Sequence, residues 1–139
     1  MKTIAITIVL FLNAFLGFSQ ETKGITITVT IDNVKNDNGK VIMSLHDASS
    51  FMKSDGLQNG ESTIKDGKVT ITFTNVAPGA YAIMALHDVN DNKRMDFQDN
   101  GMPKESYGMS NNPMSFGPPQ FSEAKFEVAD KDLELDIRF

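Results

Sequence analysis

The chain has 139 residues, with 13 basic and 18 acidic side chains, a net charge of −5 and no cysteine. An acidic balance argues against nucleic acid and anionic membrane as partners, and a cysteine-free chain has no disulfide staples and no thiol to carry a lipid. What is left after the first 19 residues is one domain's worth of chain, enough for a single hydrophobic core.

The opening MKTIAITIVLFLNAFLGFSQ has a lysine at Lys2, an apolar run from Ile4 to Phe18, and small residues Gly17 and Ser19 at its end. This is the three-part pattern of a secretory signal peptide, and the run is too short for a membrane span. We therefore expect residues 1–19 to be removed, residues 20–139 to form one domain, and the product to be periplasmic or extracellular without membrane insertion. The domain then keeps 12 basic and 18 acidic residues, a charge of −6.

Ile25, Ile27, Val29 and Ile31 alternate with threonines, the period of a half-buried strand. Asn36 to Gly39 supplies a turn, and a second strand runs from Lys40 to His46. DASSFMKSDG fits a single helical turn capped by Asp47 or Ser49, or a crossing between sheets. A hairpin follows, Glu61 to Ile64 and Val69 to Phe73, around Asp66-Gly67. Pro78-Gly79 turns the chain into a strand from Tyr81 to Leu86, and a long polar loop leads to strands at Ala124 to Val128 and from Leu133 to Phe139. About seven strands and no sustained helical period predict an all-β fold, a single antiparallel β-sandwich.

IMSLHD (Ile42 to Asp47) and IMALHD (Ile83 to Asp88) echo one another at strand ends. Such an echo would make His46 and His87 a metal or acid/base pair if both reached the same end of the sandwich, but two histidines without a third ligand do not specify a zinc site. A sharper signal follows in HDVNDNKRMDFQDNGMP. Counting from Asp88, oxygen-bearing side chains fall at positions one (Asp88), three (Asn90), five (Asn92), nine (Asp96) and twelve (Asp99), with the Arg94 carbonyl at seven. That is the ligand spacing of a calcium loop, because a curled segment turns alternate residues toward a hard cation that takes six to eight oxygens. Val89, Asp91 and Lys93 are then outward-facing, and Met95 packs the loop on the domain. Lys93 stands at position six, where the tight turn usually takes glycine. Three carboxylates imply an affinity of roughly 10⁻⁴ to 10⁻⁵ M.

These motifs carry a family likeness. The succession FTNVAPGAYAI, HDVNDNKRMD, GMPKESYGMSNN and FGPPQFSEAKF resembles the bacterial domain-of-unknown-function 2141 family, exported proteins without an assigned activity. The resemblance implies an Ig-like or prealbumin-like sandwich, similar also to collagen-adhesin B-type modules, some of which hold calcium in Asp/Asn loops. It also implies a loop of the form HDxNxNGxxD, which this chain matches at His87, Asp88, Asn90, Asn92 and Asp96 and departs from at Lys93.

The second half of the loop, through FGPP, is long for a connection within a compact domain. Tyr107 and Phe116 there are either a platform for a glycan or peptide or pins that hold the loop to the sandwich. The leading expectation is an exported, non-enzymatic binding or accessory module with structural Ca²⁺ and an unknown protein or glycan ligand. A small prealbumin-like hydrolase using His46, His87, Asp47, Asp88 and Lys104 is the alternative, and a purely structural envelope protein is the third. The chain ends in LDIRF and carries no Gly-x-Ser-x-Gly or His-Glu-x-x-His pattern, which weighs against hydrolysis.

Overall fold

A computed structural model describes residues 24–139; the segment read as a signal peptide lies outside the described residues. The described chain forms eight strands and one helical turn: β1 (Ile25–Ile31), β2 (Lys40–His46), β3 (Gln58–Thr63), β4 (Val69–Val76), β5 (Gly79–Asp88), β6 (Tyr107–Met109), α1 (Phe121–Ala124), β7 (Phe126–Val128) and β8 (Leu133–Asp136). They make a three-stranded sheet in the order β4-β1-β8 and a five-stranded sheet in the order β3-β2-β5-β6, with β7 also paired to β5.

The period-two pattern of β1 works as the alternation requires. Ile25, Ile27, Val29 and Ile31 are buried while their threonine neighbours face outward. Across the sandwich they meet Val41, Met43 and Leu45 of β2 and Ile83 and Ala85 of β5, and Phe73 and Ile71 of β4 complete the same core. Fully burying one such aliphatic side chain is worth about 1.5–3 kcal/mol, so this cluster dominates the stability. Gly60 of β3 lets the sheets close here, because a Cβ would lie 2.6 Å from Ile71 Cγ2.

The expected all-β sandwich is present, and three of its details differ from expectation. The sandwich is mixed, since β8 runs parallel to β1, with Leu133 opposite Ile27 and Leu135 opposite Val29. A parallel partner needs a crossover, and here the crossover is the rest of the domain. Ala124 ends a helical turn, in which the Glu123 and Ala124 N–H groups bond the Gln120 carbonyl, so the strand expected from Ala124 begins at Phe126. Inside the long loop, β6 is an eighth strand. The ten-residue β5 accommodates both short strands: β7 pairs with Gly79–Tyr81 and β6 with Met84–Leu86.

The face of the five-stranded sheet turned away from the core is also apolar. At one end Phe51, Ala82, Met109 and Ala124 form a second small core, with Phe121 edge-on to Phe51 at 5.8 Å. Toward the other end of β5, Met84 and Leu86 continue the row and are only half-buried.

Candidate functional site: a loop and the groove it walls

The two histidines lie at opposite ends of the β2–β5 pair: His46 is opposite Ala82, whereas His87 is opposite Val41. Five strand positions separate those rungs, about 17 Å. His87 is buried, its Nε2 lies 2.8 Å from the Asn38 carbonyl, and its ring stacks on Phe139. His46 is buried against Phe51 with Nδ1 3.2 Å from Ser50 Oγ. Burial lowers its pKa below the usual value, outweighing the upward pull of Ser50, Asp47 and Asp55. The acid/base constellation of His46, His87, Asp47, Asp88 and Lys104 that the hydrolase alternative requires is therefore not assembled, since His46 and Asp47 lie at one end and His87 and Asp88 at the other.

The polar loop leaves β5 at Asp88, which is 0% exposed. Asp88 Oδ1 accepts the Asn92 N–H at 3.1 Å and Oδ2 accepts the Lys93 N–H at 2.7 Å, so one carboxylate curls the segment. Asn90 Nδ2 donates to Asp96 Oδ2 at 2.7 Å, and Asn92 Nδ2 donates to both Asp96 oxygens at 2.9 and 3.0 Å. These amides, Asn90 first, hold the Asp96 carboxyl below its ordinary pKa. Arg94 enters through its N–H, bonded to Asn92 Oδ1 at 3.1 Å. Five of the six residues expected around a cation thus form one network, Asp88, Asn90, Asn92 and Asp96 through their side chains and Arg94 through its N–H and not its carbonyl.

Asp99 stands apart from it. Phe97 and Pro103 form a β-bridge, the Gly101 N–H bonds the Gln98 carbonyl, and Asp99 sits exposed within that turn. Closure is supplied instead by Glu105, which sequence spacing does not single out: Oε1 accepts the Val89 N–H at 2.9 Å and Oε2 the Asp96 N–H at 3.3 Å. Lys93 takes φ = 63° and Asp91 φ = 55°, so the backbone at position six adopts the left-handed form without glycine. Among the described residues no three Asp, Glu, His or Cys side chains gather closely enough to hold a metal, and no buried side-chain polar atom lacks a hydrogen-bond partner.

The curled loop stands beside the apolar sheet face and encloses with it an open groove of about 730 Å³. Its floor is Ile42 and Ser44 of β2, Met84 and Leu86 of β5, and Tyr107 of β6. Lys93, Met95, Phe97, Met102 and Pro103 form one wall, and Met52 with Gly117–Pro119 completes the lining. Phe97, Met102, Met52 and Tyr107 are exposed there. Met114 and Phe116, beside Gly117, are fully exposed, so Phe116 does not pin the loop to the sandwich. The volume falls within the about 300–1,000 Å³ of small-molecule sites. A signal for the groove is present in the sequence: AYAIMAL is apolar at nearly every position, which marks a strand covered on both faces.

Fold and site together define a β-sandwich protein that presents a loop-walled groove on one sheet face. The chain belongs to a family of uncharacterized proteins conserved in bacteria (DUF2141), whose model matches residues 29–136. No curated protein and no solved structure matches it.

Proposed function

We propose that the protein is an exported, non-enzymatic binding module whose groove on the five-stranded sheet holds an apolar ligand, and that the 88–96 loop serves as a wall of that groove. The observation that carries this reading is the groove itself, with half-buried Met84 and Leu86 on its floor and four methionines in its lining. Unbranched, polarizable methionine adapts to varied apolar partners. Such a lining favours an apolar ligand over the glycan that the aromatic residues suggested. In this reading the sandwich is of the prealbumin-like kind and serves as a rigid platform.

Calcium has a secondary place in it. The loop offers a cation two carboxylates, Asp88 and Asp96, short of a cluster of three, with the Asn90 and Asn92 side-chain oxygens available once the amides turn. Both carboxylates already have N–H partners, so a cation replaces existing hydrogen bonds and tightens a loop that also closes without it. With two carboxylates and not three, affinity belongs near 10⁻³ M, the weak end of roughly 10⁻⁴ to 10⁻³ M for extracellular modules.

A neutral apolar dye, Nile red, tests the reading. Its fluorescence should rise and shift to the blue on the wild-type protein, and Met102→Asp, a change at an exposed wall position, should abolish this. No dye binding, or binding indifferent to Met102→Asp, would leave the structural-protein alternative. Calcium at millimolar concentration should raise the melting temperature of wild type, and Asp96→Asn should remove the rise.

A further inference from the structure

We propose that the ligand is a single-chain amphiphile with one anionic head, a fatty acid in chemistry, and that Lys93 selects its charge. The inference rests on the groove-binding reading above and adds the class of ligand. Lys93 is the one charged residue in the groove lining. No carboxylate lies within ion-pairing distance of it among the described residues, and Glu61, which feels the Lys93 charge, is itself paired with Lys40 at 2.9 Å. An ammonium at the rim of an apolar surface attracts an anion more strongly than it would in open water.

The backbone at Lys93 supports the same conclusion. Its φ of 63°, fixed by the N–H bond to Asp88 Oδ2, suits glycine and is unfavourable for a residue with a Cβ. Local strain of this kind concentrates at functional positions. Here it sets a lysine at the mouth of the groove where the fold alone would be better served by glycine.

The rest of the lining selects the tail. Ser44 and Tyr107 bring the hydroxyl groups of the lining, too few to bind a sugar by hydrogen bonds. An extended peptide needs partners for its backbone N–H and C=O groups, which a sheet edge offers and a sheet face does not. This floor is a face, crossed by β2, β5 and β6. A flexible alkyl chain needs no such partners, and methionines fit around it.

The experiment measures binding of dodecanoate, dodecyl maltoside and dodecyltrimethylammonium to the full chain, each below its micelle concentration, by displacement of Nile red. Dodecanoate should bind tightest, and decanoate should bind up to about 15-fold more weakly than dodecanoate, because each buried methylene is worth up to about fourfold. Lys93→Gly should weaken dodecanoate about fivefold relative to the maltoside, so that the two then bind alike. Equal binding of the three head groups, or a Lys93→Gly protein that still prefers dodecanoate, overturns the ligand class while the groove reading stands. Binding of a short apolar peptide with a free C-terminus in preference to dodecanoate overturns it also. Failure of Nile red itself to bind overturns both.

Discussion

Lys93 and Asp88 have opposite effects on the loop they share. Because φ at Lys93 is 63°, Lys93→Gly relieves an unfavourable backbone state and should stabilise the protein by about 0.5–1 kcal/mol, raising the melting temperature by roughly 2–4 °C. Asp88 is fully buried and accepts two backbone N–H groups, so Asp88→Asn turns an amide donor against one of them. The cost should be about 1–3 kcal/mol, read from urea denaturation. His46 sets a pH dependence with a definite sign. Burial lowers its folded pKa, so the unfolded chain binds the proton more readily. Stability is therefore full above the unfolded value near 6.5 and falls as pH drops from there through the lowered folded value. Denaturation midpoints measured from pH 7.5 to 5 should show this decline, and His46→Gln should flatten that part of it.

The 88–106 loop depends on Glu105 as much as on Asp88, since its carboxylate joins Val89 at the loop's start to Asp96, where the curled segment ends. Glu105→Gln should speed amide exchange at Val89 and Asp96 while leaving β1 and β2 protected. Strand β6 depends on a glycine: a Cβ at Gly108 would run into the Arg138 carbonyl and lie 2.8 Å from Ile137 Cγ2. Gly108→Ala should thus lift the C-terminal segment from the sheet and cost about 1–3 kcal/mol by overpacking. The sequence made the strands with clean alternation legible, as in Ile25–Ile31, and the turns at Asn36–Gly39 and Asp66–Gly67. It hid β6, because three residues are too short to show a period, and α1, because one helical turn has none either. The loop network was legible for Asp88, Asn90, Asn92 and Asp96, which lie close in sequence. Glu105 was not, because only the return of the chain beside β5 brings it to Val89. Asp99 was misplaced by counting along a regular loop that in fact folds into a separate turn at Gln98–Gly101.

The molecule uses the two faces of its larger sheet differently. The inner face joins β1 and β4 in the main core, and the outer face is covered at one end by Phe51, Phe121 and Ala124 and left apolar and open at the other. Uncovered apolar surface of this kind on an acidic chain supports the proposal that a ligand covers it. Methionine methyl NMR can follow the whole molecule at once, since Met52, Met84, Met95 and Met102 line the groove while Met43 lies in the main core. On titration with dodecanoate, the four groove methyls should shift together along a saturating curve and Met43 should stay in place. Absence of shifts at the four, or shifts at Met43 as large as theirs, would contradict the account.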